Sequence, residues 1–551
     1  MQKIIVAAAG TMLLAFGAFG QAGQVRTHTC EGLAQLEITG AKILSAQTVA
    51  AGAFTPPANM SPWMQGDPSL YKTLPPFCRV VAKAEPSADS AIKVEVWIPI
   101  DSAPSSTNGV AWNGKLQGWG NGGFAGEIDY RALAVAVKKG YAAVGTDTGH
   151  AAGGTDASWA LGHPEKVADF GYRGIHEMTR VARASIKAFS GKGPQHSYFI
   201  GCSNGGRQAL MEAQRFPEDY DGILAGAPAN YWTHLLTTAV FNAQATTLDP
   251  ASYIAPSKLP AIAHAVNAAC DAQDGVVDGI VNDPRRCRFD PAAILCKEAD
   301  SAECLTAPQV TALKKLYAGP SDASGKSIFP GYLPGAEEGE GGWETWITGP
   351  APGKSLLFAF GVGYFSNFIY EKKDWNYRRA SVAAAMKLAD KKSASVMNAT
   401  NANLGPFKAH GGKLILYHGW NDPAISALNT VNYYTEMLSK MGGTQTEEFA
   451  RLYMVPGMQH CEGGSGPDSF GQGPTGPSDA QHNIEAALEQ WVEKGVAPEA
   501  IIATKSSSTE SGPTGPAKMT RPLCPFPQIA KYKGSGDTND AANFACAAPS
   551  K

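Results

Sequence analysis

A short apolar run, Ser197 to Ile200, leads into Gly201-Cys202-Ser203-Asn204-Gly205, and a helical pattern from Arg207 to Arg215 follows at once. Glycines two residues either side of a serine, at a strand-to-helix junction, suit a tight nucleophile turn, because larger side chains there would strike the neighbouring strand and helix. A hydroxyl is a weak nucleophile until a base takes its proton, so this serine needs a histidine and a carboxylate to orient that histidine. Eleven histidines are available. His460 follows the apolar run Arg451 to Val455 through Pro-Gly-Met-Gln, and Asp422 follows Lys413 to Tyr417 through His-Gly-Trp-Asn. All three groups fall just past the carboxyl end of an expected strand, where open α/β sheets bind ligands. The chemistry this predicts is acyl transfer, with Ser203 as nucleophile, His460 as base and Asp422 as orienting acid.

The oxyanion formed on attack needs two N–H donors. Asn204, next to the serine, supplies one; Gly122 or Gly123, in the turn Gly118-Trp-Gly-Asn-Gly-Gly-Phe-Ala-Gly126, supplies the other. A phosphate-binding role for that turn is disfavoured, since neither GxGxxG nor a Walker lysine is present. His150 reads as a local hydrogen-bonding residue and His418 as a packed neighbour of Asp422 rather than a rival base. Asp147 and Asp221 are weaker acid candidates, lying off the strand that carries Asp422.

Ten cysteines, an even number, lie beyond residue 22, with no CxxC pair, so disulfides in an oxidising compartment are expected rather than zinc. Spacing suggests local staples Cys270–Cys287, Cys296–Cys304 and Cys524–Cys546, and Cys30–Cys78 is a further expected pair, although sequence alone does not fix connectivity. Cys202 precedes the serine and Cys461 follows the histidine. A bridge between them would bring Ser203 and His460 within roughly 13 Å, Cα to Cα. The loop it closes would be worth on the order of 5 kcal/mol in a chain-entropy model.

Asp271-Ala-Gln-Asp274-Gly-Val-Val-Asp278-Gly-Ile280 gathers three carboxylates between Cys270 and Cys287. Hard oxygen ligands on glycine turns suit Ca²⁺, and the alternative is a solvated acidic loop. It is not an EF-hand, because the twelfth position from Asp271 is Asn282 rather than Glu.

The elements that must position these groups alternate. Ala91 to Ile98, Lys115 to Gly118, Tyr141 to Thr146 and Ser197 to Ile200 read as strands, with a helix over Tyr172 to Phe189 and a closing helix over Ala480 to Lys494. This rhythm predicts an α/β fold, a mostly parallel sheet with helices on both faces. Residues 229–405 break it, being rich in Gly, Pro and aromatics, and read as a large inserted lid domain. Its Trp343, Trp346, Phe360, Tyr364, Phe365 and Phe368 either line an aromatic pocket or form the lid's own core. The expected division is a signal peptide over 1–22, a first sheet part over 23–228, the lid, and a second sheet part with the C-terminal tail over 406–551.

The 551 residues are 44% apolar and 17% charged, with 46 Lys and Arg against 49 Asp and Glu, for a net charge of -3. Disorder is excluded, and neither nucleic acid nor a membrane is an expected partner. Lys3, an apolar run from Ile4 to Phe19 and small residues at Gly20 and Ala22 read as an export signal, so a periplasmic or secreted protein is expected.

With these residues in place, the sequence resembles the tannase and feruloyl esterase family of α/β-hydrolases over about residues 25–525. The specific mark is Cys202, Ser203, Asp422, His460 and Cys461 together; Gly122-Gly123-Phe and Thr146-Asp-Thr-Gly-His150 also resemble family segments. The resemblance implies a structural Ca²⁺ in the lid, held by Asp271, Asp274 and Asp278 with carbonyls from Val276 and Ile280. No organic cofactor is expected. It implies a serine esterase acting on small aromatic esters, of which the feruloyl type is favoured and galloyl or mono(2-hydroxyethyl) terephthalate esters are alternatives. The terephthalate branch of the family holds its substrate's carboxylate with a lid arginine, and here no arginine lies between Arg288 and Arg378. Rival classes are an exported serine peptidase and a non-catalytic binding protein on the same scaffold.

Overall fold

A computed structural model describes residues 29–549, apart from 59, 62, 63, 65, 101–109, 474–475 and 507–515. The expected signal over 1–22 lies outside the described residues.

Nine strands form one sheet: β1 (Ala41–Val49), β2 (Phe77–Ala84), β3 (Ile92–Pro99), β4 (Lys115–Trp119), β5 (Ala142–Thr146), β6 (His196–Cys202), β7 (Gly222–Gly226), β8 (Lys413–Gly419) and β9 (Ala450–Val455). Their order is β1-β2-β3-β5-β4-β6-β7-β8-β9. β1, β2, β3 and β5 pair antiparallel, whereas every neighbour from β5 through β4 to β9 is parallel. Burial follows that division. The edge strand β1 is partly exposed along its length, while β5 and β7 are buried at every residue, as parallel strands covered on both faces must be.

Helices α1 (Tyr130–Lys138), α2 (Gly174–Ser190) and α3 (Asn204–Arg215) make the crossovers to β5, β6 and β7. The Asp129 carboxylate caps α1 by accepting from Ala132 N, and Gly191 ends α2 in the left-handed region at φ 77°. The chain then leaves the sheet after Gly226 and returns at Lys413. The inserted segment holds α4 (Trp232–Thr247), α5 (Leu259–Cys270), α6 (Ala307–Ala318), α7 (Leu356–Tyr364) and α8 (Val382–Met397), and no sheet strand among the described residues. α4 is buried on nearly all sides because α6, α7 and α8 pack around it. Helix α9 (Ala427–Met441) joins β8 to β9, and α10 (Ile484–Lys494) packs on β7 and β8.

Past α10 come two hairpins, β10 (Ile501–Ser506) with β11 (Ala517–Leu523) and β12 (Ile529–Tyr532) with β13 (Phe544–Ala547). The link between them covers the open edge of β9, where Phe526 N donates to Leu452 O and Tyr453 bridges Pro525. Five disulfides are present, Cys30–Cys78, Cys202–Cys461, Cys270–Cys287, Cys296–Cys304 and Cys524–Cys546. Among the described residues, no helix is long and apolar enough to cross a membrane.

Candidate active site

Ser203 sits between β6 and α3 at φ 64° and ψ -122°, a strained conformation for a residue with a side chain. Neighbouring main chain explains the glycines. A Cβ on Gly201 would lie 2.4 Å from Gly205 O, and one on Gly206 would lie 2.2 Å from Gly226 O. Ser203 N donates to Gly226 O at 3.0 Å, and Ser203 O accepts from Arg207 N at 3.0 Å and Ala229 N at 3.1 Å.

Arg207, which nothing in the sequence marked beyond its place in a helix, is fully buried without a carboxylate partner among the described residues. Its guanidinium lies 5.2 Å from both the Phe170 and Trp232 rings and donates to Asn204 Oδ1, Gly171 O and Phe170 O at 2.8, 2.6 and 3.0 Å. Burial pulls its pKa down to about 9. It thereby holds the side chain of the residue that follows the serine.

Asp422 and His460 come from the loops after β8 and β9. The Asp422 carboxylate accepts from His460 Nδ1 at 2.7 Å and His418 Nε2 at 3.0 Å on Oδ2, and from Ala424 N and Ile425 N at 2.8 and 2.9 Å on Oδ1. Burial alone would raise its pKa, but His460, with hydrogen bonds from both imidazoles, holds the carboxyl well below its usual range. Asn421 N donates to Met458 O at 3.0 Å, so the two loops brace each other. The Cys202–Cys461 bridge, 6.1 Å Cα to Cα, joins the residue before Ser203 to the residue after His460. Ser203 and His460 are therefore at most about 14 Å apart, Cα to Cα.

The turn after β4 abuts the start of α3, since a Cβ on Gly120 would lie 2.6 Å from Gly205 Cα. Gln208 Oε1 accepts from Asn121 N at 2.9 Å, and Asn121 Nδ2 donates to Glu127 O and Thr146 O at 2.8 Å each. Among the described residues, the main-chain N–H groups of Gly122, Gly123 and Asn204 have no acceptor. Gly123 is at φ 53°, and a Cβ there would lie 2.5 Å from Gly154 O. His150 donates from Nε2 to Phe124 O at 2.8 Å and stacks on Trp159 at 3.8 Å, with burial depressing its pKa to about 4. Asp147 accepts from Lys93 N and Gly149 N, and Asp221 from Ser197 N at the opposite end of β6, so neither meets His460.

The six lid aromatics divide. Trp343 is buried in the segment's own core, whereas Tyr364, Phe365 and Phe368 are buried in a core that the segment shares with Phe124 and Phe170 of the sheet domain. Trp346 instead stands edge-on to His460 at 4.8 Å and nearly parallel to Phe360 at 6.3 Å, and Phe360 meets Phe124 at 5.4 Å. Phe124, the aromatic residue of the Gly122-Gly123-Phe segment, is fully buried and backs Phe360. The same segment grips both catalytic loops: Asn421 Nδ2 donates to Gly335 O, and Gln459 Nε2 donates to Glu338 O at 2.9 Å.

In the acidic loop, Asp271 accepts from Asp278 N and Gly279 N, Asp274 from Val276 N, and Asp278 from Ile280 N. Arg521 Nη2 donates to Asp278 Oδ2 at 2.5 Å. Burial, with Asp278 and Asp271 adding to it, pushes Asp274 up to about 6. The donor set is all oxygen, as a hard divalent cation prefers, but among the described residues the three carboxylates do not all lie within 4.8 Å of one another and Arg521 holds one of them.

Residues 78–547 match the family model described as tannase and feruloyl esterase. An uncharacterised esterase of Xanthomonas campestris pv. campestris is 39% identical over 545 residues, covering 94% of this chain and 91% of its own. The mono(2-hydroxyethyl) terephthalate hydrolase of Piscinibacter sakaiensis is 36% identical over 502 residues, with 80% of each chain covered. The crystal structure of feruloyl esterase B from Aspergillus oryzae superposes with a TM-score of 0.84 at 28% identity, covering 94% of this chain and 99% of that one.

Proposed function

The chain belongs to the tannase and feruloyl esterase family and is a carboxylic ester hydrolase, and on that premise we propose that it cleaves esters of planar aromatic acids, hydroxycinnamoyl type first, through an acyl-enzyme on Ser203. The carrying observation is the His460 imidazole, fixed on one side by Asp422 at 2.7 Å and faced on another by Trp346 at 4.8 Å, on a loop bridged to the serine turn.

Ser203 Oγ attacks the ester carbonyl carbon as His460 Nε2 takes its proton. Asp422, kept ionised by four donors, holds Nδ1–H and stabilises the imidazolium. The N–H groups of Asn204 and of Gly122 or Gly123 receive the negative carbonyl oxygen. Collapse expels the alcohol, protonated by His460, and leaves the acyl on Ser203. Water then attacks the acyl carbon as His460 takes its proton, the bond to Ser203 Oγ breaks, His460 returns the proton to Oγ, and the aromatic acid departs. Trp346 and Phe360, both partly exposed, offer flat apolar surfaces to an aryl acyl group, with the buried Phe124 ring behind Phe360.

Ser203→Ala is expected to abolish hydrolysis of methyl ferulate with the melting temperature kept, and undiminished turnover would refute the assignment. Rates on methyl ferulate, methyl gallate, chlorogenate and a terephthalate half-ester rank the acyl groups; fastest turnover of the half-ester would overturn the preference. An ester cleaved far faster than the matching peptide amide separates this reading from a peptidase.

Two further parts of the proposal concern the rest of the chain. A calcium ion held by Asp271, Asp274, Asp278 and the carbonyls of Val276 and Ile280 would tie the inserted segment's loop together. Chelator is then expected to lower the melting temperature of the wild type and leave that of Asp274→Asn unmoved. Export from the cytoplasm is supported by five disulfides and by the absence of a free cysteine among the described residues. Recovery of the processed chain outside the cytoplasm tests it.

A further inference from the structure

His418, fully buried on β8, is not needed as a base, yet its Nε2 lies 3.0 Å from the same Asp422 oxygen that receives His460. The ring's tautomer follows from its partners. Nε2 faces two acceptors, Asp422 Oδ2 and Ile425 O at 3.1 Å, so it carries a proton; Nδ1 lies 2.7 Å from Thr430 Oγ1, whose hydroxyl can donate to it. A ring with a partner at each nitrogen therefore stands behind the catalytic carboxylate, tethered to α9. Among the described residues, the ionisable groups that act on Asp422 are His418 on the strand before it and His460 beyond β9, and Tyr332 of the inserted segment feels its charge. Of these, only the two imidazoles hydrogen-bond to it.

We infer that His418 is a positioning residue that sets the working pH of His460, by sharing Asp422 Oδ2 and so limiting how much negative charge that oxygen presents to the catalytic imidazole. The inference rests on the triad reading above. A carboxylate oxygen already accepting one strong N–H is a weaker partner for a second cation. Removing the His418 donor leaves Asp422 to bind the His460 imidazolium more tightly. The base then stays protonated to higher pH, and the acid limb of the rate profile moves upward. Loss of the second tether also lets the carboxylate rotate, which lowers turnover.

The test compares two amides. In His418→Gln the terminal nitrogen replaces Nε2, whereas in His418→Asn the shorter side chain reaches Thr430 and not Asp422. The Asn variant is expected to lose roughly tenfold to a hundredfold in kcat/KM, with its acid limb raised by about half a pH unit or more. The Gln variant is expected to stay within roughly threefold of wild type with its midpoint restored. The pH midpoint of fluorophosphonate labelling of Ser203 is read in parallel, because it does not depend on what fraction of the protein is folded. An unmoved limb in the Asn variant, or a Gln variant shifted as far as Asn, overturns the inference. If Ser203→Ala and Asp422→Ala are inactive in that same experiment, the triad stands and only the role of His418 falls; activity in Ser203→Ala would instead sink the triad itself.

Discussion

Ser203, Asp422 and His460 leave the sheet through loops whose main-chain atoms bond to one another: Ser203 N to Gly226 O, Ala227 N to Tyr417 O and Asn421 N to Met458 O. The inserted residues between β7 and β8 contribute no strand among the described residues, and they reach the same site through the Trp346 ring against His460 and through the Gly335 and Glu338 carbonyls, which accept from the Asn421 and Gln459 amides. Main-chain hydrogen bonds fixed by the sheet leave no room for an added Cβ, whereas the rings of Trp346 and Phe360 are partly exposed and accept a different ring at modest cost. One region fixes the reaction, and the other can vary what is brought to it.

The sharpest way to break the first region is Gly206→Ala, whose methyl would meet Gly226 O at 2.2 Å and Pro228 Cα at 2.9 Å. We expect a stability loss of about 3 kcal/mol or more, seen in denaturant unfolding, together with loss of serine labelling. A variant as stable and reactive as wild type would show that the serine turn is not confined by its backbone neighbours. Against the second region, Trp346→Leu is expected to lower kcat/KM on an aryl-acid ester roughly tenfold while an acetyl ester changes less than about threefold. Equal losses on both would mean that Trp346 serves His460 rather than the substrate.

The smallest effect joins the two regions at His150, which holds Phe124 O. Its folded pKa of about 4 lies below the ordinary 6.5 because burial disfavours the charged ring. The unfolded chain therefore binds the extra proton first, and the stability this contributes above pH 6.5 is lost as pH falls from about 6.5 to 4. His150→Gln should flatten the pH profile of the unfolding free energy over that window, by about 2 kcal/mol at pH 5. Parallel profiles for the two proteins would reject it.

How legible this was depended on which atoms carried the information. Strands β3 to β6, β8 and β9 show as apolar runs, and the serine turn shows because glycines sit on both sides of it. β7, Gly222–Gly226, carries little strand signal, yet its glycines are required: a Cβ on Gly222 would lie 2.6 Å from the Tyr198 ring, and one on Gly226 would lie 2.1 Å from that of Tyr417. Local propensity gives way there to the size of residues far away in the chain. The aromatic residues of the inserted segment share one composition and no period, so nothing local separates Trp346 from Trp343, which is buried against Tyr317 and Tyr332. Arg207 is invisible for the same reason, since apart from Asn204 its partners are carbonyls and rings of distant segments.

The Cys202–Cys461 bridge spans 259 positions, and Cys270, Cys287, Cys296 and Cys304 all lie between its ends. During synthesis Cys202 emerges long before its mate and must pass over four nearer thiols to reach it. Random oxidation would favour those short loops. The correct bond therefore awaits β8 and β9 docking beside β7, and its formation records that the sheet was completed around the insertion.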